Sequence, residues 1–201
     1  MNQWKLKEIV LMSILGVVFG FIYLAFFGVG KVLYGFFAPF GLADMGYEII
    51  YGIWFIVSVI AAYILRRPGA AFMAEMVAAL VEVLAGSTTG PALLISGAIQ
   101  GLGAELVFAA TKWKDYRLRI LILSGVGAAC LSFPYHFFAG GFDAYENWVV
   151  VLLFVTRIIS AIIITGLLGK FISDQLAKTG VLRGYALGKE LQQKKRDEDV
   201  A

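Results

Sequence analysis

Glu75, Glu82, Gln100, Glu105, His136 and Arg157 stand inside stretches that are otherwise apolar, and Glu48 lies near the start of another such stretch. Glu75 and Glu82 are seven residues apart, two helical turns, so a helix through both projects them from one face. Carboxylates that outnumber the cations around them suit a positively charged ligand. Aromatic side chains recur close by. Tyr47, Tyr51 and Trp54 follow helical spacing, Phe133, Tyr135 and Phe137 surround His136, Trp148 comes soon after, and Phe36 and Phe37 lie upstream. An aromatic wall with a carboxylate holds a flat organic cation by stacking and cation–π attraction. Aromatic belts at a membrane boundary use the same residues for another reason, so the coincidence with surplus acids is the informative feature.

Other chemistries find no matching residues. There is no phosphate-binding loop ending in Gly-Lys-Ser/Thr, and no His/Cys/carboxylate cluster with metal-ligand spacing. His136, the one histidine, has no serine elbow beside it, and Cys130 is the one cysteine. No catalytic residue, metal or cofactor is therefore assigned, the chain is read as not an enzyme, and no nucleic-acid partner is expected. A membrane enzyme using buried carboxylates as acid and base stays the weakest alternative. The two halves show no internal repeat, which weakens a conventional secondary-transporter reading.

The elements that carry these residues belong in lipid. Of the 201 residues, 60% are hydrophobic and 15% charged, and the mean hydropathy is +0.83. So little charge cannot cover that much apolar surface in water. Six apolar stretches, at 8–28, 46–65, 69–86, 90–111, 118–140 and 147–169, are each long enough to cross about 30 Å of hydrocarbon. The expected fold is an all-α integral membrane protein, a six-transmembrane-helix bundle over residues 1–173. Residues 29–45, with Gly30, Lys31, Gly35, Pro39, Gly41 and Asp44, read as a re-entrant or lid-like loop. Residues 174–201 read as a charged tail, disordered at its KKRDEDVA end. Fifteen of the 17 basic residues fall on one side of this arrangement, all but Lys31 and Arg157. The positive-inside rule then places both termini in the cytoplasm of a multi-pass plasma-membrane protein. The basic tail lies beside the bilayer, where it can meet anionic lipid.

Counting at 1.5 Å per residue places Glu75, Gln100 and Arg157 roughly 15 Å below the outer surface, and Glu48, Glu82 and His136 about 3–6 Å below it. A charge at such depth costs roughly 3 kcal/mol and calls for a partner or a task. A structural reading pairs Arg157 with Glu75 or Glu105, with Arg157–Glu105 the expected ion pair, and leaves Gln100 to bond across helices. A functional reading opens a polar cavity to the outside around Glu48 and Glu82. A stand-alone channel or transporter for a small organic cation, running along Glu75, Glu105 and Arg157, is the alternative. Ser13, Gly16 and Gly20 give the first helix a small-residue face, suited to packing inside the bundle or to docking a separate subunit.

The stretch PGAAFMAEMVAALVEVLAGSTTGPALLISGAIQGLGAELVFA, residues 68–109, resembles the YkoE family. These are substrate-binding (S) components of energy-coupling factor (ECF) transporters, and the similarity extends to about residue 190. The resemblance implies a six-helix bundle that captures a vitamin at its outer face, with thiamin or its hydroxymethylpyrimidine precursor as substrate. It implies a separate transmembrane coupling (T) subunit and two cytoplasmic ATPases as partners. S components commonly dock through an Ala-x-x-x-Ala pattern on the first helix, for which Gly16 to Gly20, with Ser13 in line, is the nearest match. Thiamin suits the acid and aromatic set. Glu48 and Glu82 would balance its charge, Tyr51, Trp54 and Trp148 would stack, and Gln100 or Glu75 would bond the pyrimidine. His136 is a further candidate contact, and the 29–45 segment would take the place of the family's lid.

Overall fold

The computed structural model describes residues 4–200, and every regular element among them is helical. Helix α1 spans Leu6–Phe37, α2 is the short Met45–Glu48 and α3 is Ile56–Leu65. Then come α4 at Ala70–Leu84, α5 at Ala92–Ala110, α6 at Leu118–Ala139 and α7 at Asn147–Ser160. A π-helical segment, Ala161–Leu168, joins α7 to α8 at Gly169–Lys178, and α9 is Ala186–Val200. Among the described residues, Leu6–Phe40, Ala92–Ala110, Leu118–Ala139 and Asn147–Lys178 are long and apolar enough to cross a membrane, while the apolar Tyr51–Leu65 is shorter.

The shorter one is the axis of the bundle. Every residue from Tyr51 to Leu65 is buried, so this segment is apolar all round because protein surrounds it. It does not begin as a regular helix: residues Tyr51–Phe55 form a 3-10 turn between α2 and α3. The last rod satisfies the backbone groups this break frees. The Gly52 N–H donates to Ser160 Oγ at 2.9 Å, and Thr165 Oγ1 donates to the Gly52 carbonyl at 2.6 Å. Broken helices persist at membrane depth under that condition.

Small residues let the helices touch. A Cβ at Gly16 would lie 2.5 Å from Val77 Cγ1, and one at Gly20 2.6 Å from Val81 Cβ, so α1 packs directly on α4. This corrects the docking assignment for Gly16 and Gly20, whose face is consumed inside the bundle; Ser13 beside them is half-buried. Gly103 and Gly127 play the same part between α5 and α6, each facing the other's carbonyl oxygen.

Two expected segments differ. Residues 29–37 continue α1 instead of forming a broken loop; Gly30 serves packing, since a Cβ there would meet the Tyr47 ring at 2.3 Å, and Gly35 faces open space within the helix. Among residues 29–45 only Gly41, at φ +70°, takes a left-handed conformation, and there the chain reverses. The tail is also folded. α8 runs past 173 to Lys178, and residues 194–200 belong to α9. The tail docks through Leu182 and Leu187, each 2% exposed, and through the Arg66–Glu190 ion pair. Lys7 Nζ donates to the Gly184 carbonyl at 2.8 Å, and the Tyr185 hydroxyl donates to the Lys7 carbonyl at 3.1 Å, tying the two ends of the chain together. Two leucines are too few to produce a periodic signal in sequence. Ala201 lies outside the described residues.

Candidate functional site

A cavity of about 280 Å³ lies at the end of the bundle away from the paired termini, walled by α1, the α2–α3 segment, α4, α5, α6 and α7. Of the eight expected ligand contacts, Glu48, Tyr51, Trp54, Glu75, Glu82, Gln100 and His136 line it. Trp148 does not. It sits 58% exposed on the first turn of α7, its indole N–H donating to Glu146 at 2.6 Å, as an interfacial tryptophan does.

The acid wall comes from α4, whose Glu75 and Glu82 are each 1% exposed. Ser58 Oγ donates to Glu75 Oε2 at 2.7 Å and the Tyr23 hydroxyl donates to the same oxygen at 3.3 Å. Glu82 Oε1 is buried with no hydrogen-bond partner. The aromatic wall is continuous: the ring centroid of Trp54 lies 5.5 Å from Tyr51, 6.4 Å from Tyr47 and 6.5 Å from Tyr23.

A chain of neutral hydrogen bonds forms another edge. Gln100 Nε2 donates to Ser96 Oγ at 2.8 Å and lies 3.4 Å from the Tyr51 hydroxyl. That hydroxyl is 2.8 Å from His136 Nε2, and His136 Nδ1 is 2.9 Å from the Ser132 carbonyl. A carbonyl can only accept, so Nδ1 of the neutral ring carries the proton and Nε2 accepts from Tyr51, which makes the longer 3.3 Å approach of Arg157 Nη1 to Nδ1 a contact without a hydrogen bond. The Tyr51 oxygen is left to accept from Gln100.

The Arg157–Glu105 pair is not formed. Arg157 is fully buried and grips Glu48 with two guanidinium nitrogens, Nη2 on Oε1 and Nε on Oε2 at 2.7 Å. Its guanidinium carbon lies 3.9 Å from the centre of the Tyr51 ring. Glu105 instead caps the start of α4, accepting the Gly69 N–H at 2.6 Å, the Ala71 N–H at 3.0 Å and the Trp113 indole N–H at 2.6 Å. A carboxylate there satisfies orphan donors and meets the positive end of the helix dipole. The Arg157 reach therefore neutralises Glu48 and leaves Glu75 and Glu82 as buried acids of the cavity with no cation partner.

Tyr23, Asp44, Tyr47, Ser96 and Arg157 line the cavity without having been expected among its ligand contacts. The signals were a lone tyrosine in the first span and a hydroxyl in the fourth. Asp44 stands near the mouth, where the Tyr145 hydroxyl donates to its Oδ2 at 2.7 Å. Burial and the Asp44 carboxylate push that hydroxyl up to about 12, so it remains a donor throughout the physiological range.

A helical membrane bundle with one acid- and aromatic-lined cavity near an end is a membrane substrate-binding subunit. This chain belongs to the YkoE family, the S components of ECF transporters, as a multi-pass protein of the plasma membrane. It is 52% identical over 196 residues, 98% of this chain and 96% of the other, to a Bacillus subtilis (strain 168) protein named "Putative HMP/thiamine permease protein YkoE". A solved structure, described as the crystal structure of an S-component of an ECF transporter, superposes with a TM-score of 0.93 at 52% identity over 99% of each chain. Residues 7–131 match the family described as "ABC-type cobalt transport system, permease component". Among the described residues, no group of three or more His, Cys, Asp or Glu is placed to hold a metal ion.

Proposed function

We propose that this chain captures thiamin, or its hydroxymethylpyrimidine precursor, and passes it to a separate coupling subunit driven by cytoplasmic ATPases. One observation carries the reading: Glu75 and Glu82 are buried together in an aromatic cavity whose single cation, Arg157, is already held by Glu48. A permanently cationic ring placed against Trp54 and Glu82 supplies the missing charge. The flat aminopyrimidine finds hydrogen-bonding partners in the Gln100, Ser96 and Tyr51 edge. A volume of about 280 Å³ is near the lower end of small-molecule sites, roughly 300–1,000 Å³. The name borne by the Bacillus relative agrees with this substrate.

In this reading the chain crosses the membrane six times, through α1, the α2–α3 segment, α4, α5, α6 and the α7–α8 rod, with α9 as a cytoplasmic appendage. Both termini face the cytoplasm, and the cavity opens outward. The clustering of Lys7, Arg66, Arg67 and Arg183 at the end opposite the cavity supports that orientation. Calorimetric titration of the detergent-purified chain with thiamin, without ATP, tests the substrate. Saturation at one ligand per chain is the expected result. No heat with either thiamin or the pyrimidine rejects the assignment.

A further inference from the structure

At the end away from the acid cavity, α8, the turn after it and α9 enclose a second pocket, of about 360 Å³. Lys178, Arg183, Lys195 and Arg196 line it with the Gln192 side chain, and no carboxylate does. Two nearby acids are engaged elsewhere, Glu190 by Arg66 and Lys194 and Asp174 by Lys170 and the Tyr63 hydroxyl, while Asp197 and Glu198, which follow Arg196 on α9, do not line the pocket. None of the four lining cations forms an ion pair among the described residues.

The walls are built rather than loose. Gly180 takes φ +87°, a conformation open to glycine, and a Cβ there would come 3.0 Å from Arg183 Nε, so Arg183 lies folded over the turn. Gly188 lets the first turn of α9 press on the backbone of Leu182, where a Cβ would sit 2.0 Å from the carbonyl oxygen. Leu182 and Leu187, both buried, hold the hairpin to the bundle. Beside this basic pocket the same hairpin exposes Phe171 and Val181, 57% and 66% accessible. Unneutralised cations next to exposed apolar side chains match an amphiphile with an anionic head.

We propose that the α8–α9 pocket binds one phosphate group per chain, that of an anionic phospholipid of the adjoining leaflet. The cations supply the charge, while Val181 and Phe171 meet the acyl region. The assignment of the inner leaflet rests on the topology proposed above; the binding itself does not, nor does it rest on the substrate of the outer cavity.

The test uses the full chain in neutral detergent, with native mass spectrometry counting bound phosphatidylglycerol against phosphatidylcholine, and a parallel arm with inorganic phosphate. The wild type is expected to retain one phosphatidylglycerol in preference to phosphatidylcholine. Lys195→Gln/Arg196→Gln, at two exposed positions on α9, is expected to weaken that affinity about 30-fold, roughly fivefold per cation. Lys112→Gln/Lys114→Gln removes the same charge from exposed positions on the turn between α5 and α6, outside the pocket, and is expected to keep the wild-type affinity. Inorganic phosphate binding that is lost in the first double variant and kept in the second supports the same pocket with a soluble source. Equal loss in both double variants, or loss in neither, overturns the site.

Discussion

Replacing Glu82 by Gln and Glu48 by Gln perturbs two carboxylates that are equally buried, each 1% exposed, but differently partnered. Glu82 Oε1 has no hydrogen-bond partner, whereas Glu48 is held at both oxygens by Arg157. A monocation about 4 Å from Glu82 gains about 4 kcal/mol at an effective dielectric of 20. Desolvation offsets part of this, and a charge-assisted contact nets roughly 1.5–3 kcal/mol. Glu82→Gln should then weaken thiamin binding about 10- to 150-fold, at 1.4 kcal/mol per decade. It should leave the ligand-free melting temperature unchanged or raised, since a poorly satisfied buried carboxyl group is removed. The neutral pyrimidine precursor should bind nearly as before. Glu48→Gln should behave in the opposite sense. It strands the Arg157 guanidinium in the interior, at a cost of roughly 3–5 kcal/mol, so the protein melts at a lower temperature with or without ligand. Calorimetry with both ligands and thermal unfolding of each purified variant supply the numbers needed. Unchanged thiamin affinity in Glu82→Gln, or a melting loss equal to that of Glu48→Gln, would refute the division of labour between the two acids.

Three other perturbations follow from the same packing. Gly52→Ala places a methyl 2.4 Å from the Ser160 carbonyl oxygen, an overpacking against backbone worth about 1–3 kcal/mol or more, and unfolding in detergent should register that loss. Glu105→Ala removes the carboxylate cap of α4, which should cost about 1–3 kcal/mol while leaving ligand affinity intact; a changed thiamin affinity would contradict the placement of Glu105 outside the cavity. On the tail, burial raises the Glu190 carboxyl, but the Lys194 and Arg66 contacts more than reverse this and hold it below the usual carboxylate value. Its contribution to docking is therefore fully present above the ordinary glutamate range and is lost only as pH falls through the depressed value. Limited proteolysis of α9 should accordingly stay slow from pH 7 to pH 5 and accelerate only below about 4; release near pH 6 would contradict it.

Much of the fold is legible because lipid imposes coarse rules. The apolar runs at 90–111 and 118–140 become α5 and α6 nearly residue for residue, since hydropathy and length alone define them. Glu75 and Glu82 were readable as one face because α4 is a regular helix between them. Arg157 was not readable as the partner of Glu48, because depth counting assumes a constant rise of 1.5 Å per residue. The second span breaks that assumption with its 3-10 turn at Tyr51–Phe55, and the long guanidinium adds a reach of several ångströms that spacing does not encode. The tail failed for the opposite reason, since its helix is held by two leucines, an ion pair and contacts to Lys7, all of them distant in sequence. Total charge in the outer half suggested that Glu48 and Glu82 were equivalent, but a surplus becomes a binding site only after the internal pairs are subtracted. Where Arg157 lands decides which buried acids remain for a ligand, and it leaves Glu75 and Glu82 on α4, in the wall shared with Tyr23 and Trp54, with Asp44 nearer the mouth.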